Sequence, residues 1–325
     1  VSRHFLASTL TRMRTWLRPA IFFAAGVISL PAQSLISQQG INADCHAELV
    51  RGENALHKEQ FSVAVEAAKA AESGCSDKTE PLMLLARTQM LLRQFDEALH
   101  TLGLLPSSNV KSASALLLKG QVLYLDNRDQ EAEQAFRAAA KAAPEQAAPH
   151  YWLGKFLYET KQPAEAIEEF HDALTLEPGF YRAYDGLGLA YAATGDNNQA
   201  VQSYLKAIGM TKDGPREYDD ALADLAELLL RLGKSAQAFD VAAEAADRNS
   251  SQPRNFYLAG RAAEESGKYE ASLPWLKRAA ELDPAYPDPH YLLARVYRRL
   301  NRNEQANAEA VLYQKLAASA PKVRR

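Results

Sequence analysis

The sequence predicts an all-α chain built as a stack of antiparallel helix pairs, and three observations carry the prediction. Within residues 147–180, Trp152, Leu153, Phe156 and Leu157 share one helical face, while Ile167, Phe170 and Leu174 share another at i, i+3 and i+7. The pattern breaks at 161–163 and Pro178 ends the second run, leaving a hairpin too small to bury its own apolar face. A step of 34 residues from Gly154 lands on Gly120 or Gly188, from Ala166 on Ala132 and Ala200, and from Phe170 on Phe136 and Tyr204. The composition is rich in Ala and Leu with few β-branched runs, which suits helices. Because each hairpin contacts only its neighbours, 325 residues need not split into two globular domains.

Counting Ala147 as position 1, the hairpin places His150 at 4, Leu153 at 7, Gly154 at 8, Leu157 at 11, Ala166 at 20, Phe170 at 24, Ala173 at 27 and Pro178 at 32. The next hairpin supplies Tyr184, Leu187, Gly188, Tyr191, Gly195, Ala200, Tyr204 and Ala207 in the same register. This pattern resembles the tetratricopeptide repeat, and the resemblance covers most of the chain. It implies a right-handed superhelical solenoid of antiparallel helix pairs. Small residues at 8, 20 and 27 let helices approach to about 8–10 Å, and large ones at 4, 7, 11 and 24 fill the space beside them.

In chain order, residues 1–33 read as an export signal. Arg12, Arg14 and Arg18 precede the apolar run 20–30, followed by Pro31 and Ala32. That run is about half the roughly 20 residues a membrane span needs, so no span is expected after cleavage, for which Ala32 and Ser34 are the expected sites. Met13 offers an alternative start that would leave a compact signal. Residues 34–44 form a polar linker. Repeats then start at Cys45, Thr79, Ala113, Ala147, Tyr181, Asp219, Pro253 and Pro287, five of them in 45–212 and three in 219–320, with an insertion loop at 213–218 around Gly214 and Pro215. The first repeat places Glu48 and Arg51 where large apolar residues belong. Pro106 shortens a second helix, Pro274 falls inside another, and the last repeat extends through Leu316 as a capping helix before a basic tail at 321–325.

Composition narrows the function. The formal charge is −3, and the first 33 residues carry four Arg and no acid, so the body is more acidic still and no nucleic-acid partner is expected. Cys45 and Cys75, at positions 1 and 31 of one hairpin, fall at the same end of an antiparallel pair and are expected to form a disulfide in an exported chain; two unpaired core thiols are the alternative. The seven His make no ligand set: His150 and His290 take a packing position, and His100 and His171 lie singly on second helices. Gly186 and Gly188 lie inside a helix, so they do not make a dinucleotide loop. Glu168–Glu169 and Glu264–Glu265 read as solvated faces. No catalytic residue, metal site or cofactor is expected, and an enzyme is not.

What remains is a groove. Positions 5, 9 and 12 form a stripe on each first helix, and the resemblance implies that first helices line the concave, ligand-bearing face. The stripe reads Tyr151, Lys155, Tyr158 in the fourth repeat, Tyr257, Arg261, Glu264 in the seventh, and Tyr291, Arg295, Arg298 in the eighth, with Arg254 nearby. Tyrosine and arginine suit binding hot spots, and an arginine fork suits carboxylates, so a protein or peptide partner with an acidic stretch is expected. Glu264 and Glu265 offset part of that charge. Relatives that clamp a C-terminal carboxylate use Asn at positions 6 and 9, and position 6 here carries no Asn in any repeat. The expected function is a non-catalytic scaffold, exported to the periplasm or secreted. Envelope polysaccharide binding or export is the alternative, with tyrosines stacking on sugar rings. The regular array also allows self-association.

Overall fold

The computed structural model describes residues 43–211 and 218–319, and among these lie sixteen helices and no strand. The expected export signal, most of the linker and of the insertion loop, and the basic tail fall outside the described residues. The chain forms two compact units, residues 1–161 and 162–325.

The first unit holds α1 (Ala43–His57), α2 (Phe61–Gly74), α3 (Thr79–Leu91), α4 (Phe95–Gly103), α5 (Ala113–Leu125), α6 (Asp129–Ala142) and α7 (Ala147–Glu159). Helices α3, α5 and α7 begin on the residues where the 34-residue register starts a repeat. Small residues set the spacing. Ala64, Ala67, Ala68 and Ala71 line α2 with no exposure, and a Cβ on Gly120 would lie 2.9 Å from two ring atoms of Phe136. Helix α4 is only nine residues long, because the chain turns at Pro106; Asn109 Nδ2 then donates to Thr79 Oγ1 at 2.5 Å and ties this loop to the start of α3. Cys45 and Cys75 are joined beside Ala71, with Cα atoms 5.1 Å apart, which closes the α1–α2 pair at its open end. Arg51 is exposed and pairs with Glu48 at 2.8 Å, so these two residues form a polar surface on α1.

The second unit holds α8 (Pro163–Leu176), α9 (Tyr181–Thr194), α10 (Asn197–Thr211), α11 (Asp220–Arg231), α12 (Ser235–Arg248), α13 (Pro253–Glu265), α14 (Tyr269–Leu282), α15 (Pro287–Arg299) and α16 (Asn303–Ser319). Gly186 and Gly188 each face a buried ring: Phe170 lies against the first and Tyr204 against the second. Helix α14 continues through Pro274. Consecutive first helices touch one another, α9 with α11, α11 with α13 and α13 with α15, whereas second helices are not drawn together to a comparable extent. The first helices therefore line the inner side of this unit.

One turn geometry recurs in both units. Glu59, Arg93, Asn127, Lys161, Gly195, Gly233, Gly267 and Asn301, all at repeat position 15, adopt positive φ between 57° and 90°. After Glu59, Arg93, Asn127, Gly233, Gly267 and Asn301 the next residue donates back across six residues, as from Gln60 N to Ala55 O at 2.8 Å and from Lys234 N to Leu229 O at 2.9 Å. This is the Schellman closure, which satisfies carbonyls that the helix end leaves open. Only three of the eight residues are Gly, so packing of the pair imposes the turn on the other five.

Candidate functional site

The inner face of the second unit is built from α9, α11, α13 and α15. Tyr257, Arg261 and Glu264 follow one another along α13, and Tyr291, Arg295 and Arg298 along α15. Tyr291 is 49% exposed and Arg298 is also open, with no ion-pair partner among the described residues. Tyr257 is buried, its ring 5.4 Å from that of Tyr286 in the loop before α15.

The arginines are not free. Arg295 Nε donates to Glu264 Oε1 at 2.9 Å and its Nη2 to Glu264 Oε2, a two-point clasp between neighbouring first helices. Arg261 Nε donates to Glu265 Oε1 at 2.8 Å. Arg254 Nη2 donates to Asp224 Oδ1 at 2.6 Å and Glu227 Oε2 at 2.5 Å, both on α11. Burial works against the Arg254 charge, but Asp224 and Glu227 outweigh it and raise the pKa above the usual arginine value. Arg295 is likewise raised, with Glu264 outweighing partial burial. The expected basic patch is thus corrected: Arg254, Arg261 and Arg295 are engaged by internal carboxylates, whereas Arg298 has no ion-pair partner among the described residues. The reading of Glu264 as a solvated acid is corrected as well, since its side chain is 7% exposed and held by Arg295.

At the other end of the same face the balance is acidic. Asp185 on α9 is buried and accepts from Tyr218 Oη at 2.8 Å through Oδ2. Its pKa is held well above the ordinary carboxylate value, first by burial and then by Asp224 and Asp220. Burial also raises Asp224, with Arg254 opposing. Asp219, just ahead of α11, accepts from Asn249 Nδ2 at 2.9 Å and Asn255 Nδ2 at 2.5 Å, which fixes how α11 enters the stack.

The remaining groove residues lie on α7 in the first unit. Tyr151 is buried with its ring 5.5 Å from Trp152, Lys155 Nζ sits 5.2 Å from the Trp152 ring centroid, and Tyr158 is half-buried.

Family models described as tetratricopeptide repeat match residues 83–147, 130–179, 153–215 and 186–253, and a model described as TPR repeat matches 260–301. The chain belongs to the tetratricopeptide repeat family. Among solved structures it is similar to one chain of the APC/C hetero-tetramer Cut9–Hcn1, at 13% identity and a TM-score of 0.62 over 94% of this chain and 57% of that one. A tetratricopeptide repeat protein from Parabacteroides merdae gives 16% identity and 0.57 over 74% of this chain and 94% of that one. PilF of Pseudomonas aeruginosa gives 18% and 0.56 over 64% and 93%. These likenesses concern the fold alone. No curated protein sequence matches the chain.

In this tetratricopeptide array the inner face of the second unit offers the exposed Tyr291 and Arg298 and ion pairs that run between successive first helices. Sequence reasoning missed Asp185, Asp224 and Glu227. A signal was present: acids engaged across repeats precede their arginines by about one repeat, 30 residues for Asp224 and Arg254, 31 for Glu264 and Arg295, and 34 for Glu53 and Arg87, whose atoms lie 3.0 Å apart.

Proposed function

We propose that this protein is an exported, non-catalytic scaffold that binds a protein or peptide segment along the inner face of its helix pairs. The observation that carries the reading is the row on α15, where a half-exposed Tyr291 and an open Arg298 stand on the side where first helices meet. Those residue types form binding hot spots. Family membership supports protein binding. The Cys45–Cys75 pair and the arginines ahead of an apolar run at 20–30 support export. No helix among the described residues is long and apolar enough to cross a membrane. The test is affinity capture from envelope extracts, with the full chain and a Tyr291→Ala, Arg298→Glu variant as baits. A protein held by the first and lost by the second is expected. Identical retention, or none, refutes the groove. Cell fractionation tests export directly.

Glycan binding in the envelope is a second reading, favoured by one feature. A cleft of about 210 Å³ in the second unit is lined by His171, Tyr184, Tyr191, Gln199, Gln202 and Lys206. His171 Nε2 and Tyr191 Oη lie 2.9 Å apart, and Lys206 Nζ sits 5.2 Å from the Tyr184 ring centroid. Tyrosine rings with amides beside them suit sugars. A polysaccharide array that retains the chain, and loses it on Tyr184→Ala, would move this reading ahead.

A further inference from the structure

The cleft between α8 and α10 is open because of one small side chain. Second helices in this unit stand apart from one another, so each junction leaves a furrow over the first helix between them. Repeat position 23 faces that furrow. On α12 it holds Val241, packed against the core. On α14 it holds Trp275, whose ring centroid lies 5.7 Å from that of Phe239 and 5.9 Å from that of Phe256. On α16 it holds Glu309, paired with His290 on α15 at 2.6 Å. On α10 the same position is Ser203, and there a cleft of about 210 Å³ remains.

The lining of this cleft is chemically one-sided. Leu174 and Leu187 are buried beneath it, and Tyr184 and Tyr191 stand half-buried along it. Ser203 is 6% exposed, and its hydroxyl has no hydrogen-bond partner among the described residues. The side-chain amides of Gln199 and Gln202 are exposed and likewise have none. Lys206 is exposed, lies against the Tyr184 ring and forms no ion pair among the described residues. No Asp or Glu lines the cleft, in a chain whose formal charge is −3. The site therefore offers one uncommitted cation, neutral hydrogen-bonding groups and two aromatic walls. That is the usual make-up of a small-ligand site, an apolar body with a few placed polar groups.

We propose that this cleft takes one carboxylate-bearing sugar, a uronic acid unit of an acidic polysaccharide, whose carboxylate accepts from Lys206 Nζ. Its ring hydroxyls meet Ser203, Gln199 and Gln202, and its carbon face lies against the tyrosines. The inference rests on the glycan reading above and adds the charge of the sugar and the residues that hold it. The cleft is smaller than the roughly 300–1,000 Å³ of sites for drug-sized ligands, so it suits a single ring of a longer chain. An acidic peptide side chain would answer Lys206 but leave the serine and both amides unmatched, whereas a sugar acid brings a hydroxyl for each. The acidity of the body does not oppose the guest strongly, because exposed charges beyond about 8 Å are largely screened at physiological salt.

The test is binding of the full chain to immobilised polygalacturonate, alginate and hyaluronate, each beside its carboxyl-reduced form, which keeps the rings and loses the charge. It is repeated with Lys206→Gln and with Ser203→Val, the latter placing in the cleft the residue that α12 carries at this position. Lys206 is exposed, so a folding defect in the Ser203 variant does not remove the test; far-UV circular dichroism checks both. At least one acidic polysaccharide is expected to bind, and about tenfold more tightly than its reduced form. Lys206→Gln should remove that tenfold, in line with loss of a charge-assisted hydrogen bond, and leave the reduced form unchanged. Ser203→Val should weaken both forms. Equal binding of acidic and reduced forms overturns the proposal while leaving the glycan reading intact. So does acidic binding that survives both substitutions. Polyglutamate held as tightly, with the same dependence on Lys206, overturns the sugar in favour of an acidic peptide. A chain that retains no polysaccharide in either form overturns both readings.

Discussion

Gly188 gives the sharpest test of how this array is packed. The ring of Tyr204 is 1% exposed, and a Cβ built on Gly188 would lie 2.5 Å from its Cδ1 and Cε1 and 2.8 Å from Cζ. Carbon atoms in contact prefer about 3.5–4.0 Å, so the ring must retreat by roughly 1 Å inside a closed core. Overpacking of that kind costs about 1–3 kcal/mol. Alanine returns about 1 kcal/mol through helix propensity, so Gly188→Ala should destabilise the protein by about 0–2 kcal/mol on balance. Gly209 provides the control. It lies exposed in α10 with nothing within 4 Å of a built Cβ, so Gly209→Ala should stabilise by up to about 1 kcal/mol. The same methyl group added to the same unit should therefore act with opposite signs. Thermal melts followed by far-UV circular dichroism read the difference, at roughly 2–4 °C per kcal/mol for 150–250 residues. A Gly188→Ala protein that melts at or above Gly209→Ala would refute the claim that glycine at repeat position 8 exists for close approach.

Four further outcomes are expected. Glu59→Gly should stabilise by up to about 1–2 kcal/mol by relieving a left-handed turn, and Gly233→Ala should cost a similar amount, as denaturant midpoints would show. Arg254→Ala should destabilise by about 3–5 kcal/mol because it strands Asp224 and Glu227, and adding Asp224→Asn should recover part of the loss in a double-mutant cycle. Reduction of Cys45–Cys75, 30 residues apart, should cost the α1–α2 pair about 3–4 kcal/mol, read as hydrogen exchange that quickens in α1 and α2 first. Asp185 has a raised folded pKa, so its contribution to stability is full below the unfolded value of about 3.9 and is lost as pH rises through the folded value. Asp185→Asn should therefore be more stable than the parent at neutral pH, with the gain vanishing in acid; a gain independent of pH would refute the assignment.

The fold could be read from the sequence because its rule is local. A 34-residue period and small residues opposite large ones place the starts of α3, α5, α7, α9, α13 and α15 on the expected residues, and α11 begins one residue after its expected start, at Asp220. The face that meets a ligand could not be read in the same way. Tyr257 sits on the expected stripe, but a tyrosine from the following loop covers it. Glu264 looks like half of a solvated acidic pair until α15 brings Arg295 across it. Asp185 takes its character from Tyr218 and from acids more than 30 residues away, and position along one helix does not reveal what the next helix contributes. Periodicity reports which side a residue takes; the partner waiting on that side comes from a different repeat.

The ion pairs between successive first helices have a consequence for assembly. Chains of near-identical hairpins can stack out of order or exchange elements with another copy, because any apolar face fits any other. Here the junctions carry distinct labels. Arg254 finds two acids when α13 lies beside α11, and Arg295 finds one when α15 lies beside α13. A hairpin that skipped a place would leave an arginine with little exposure facing no acid. The pairs thus work as an address written between repeats, discriminating against wrong neighbours more than they strengthen the right ones.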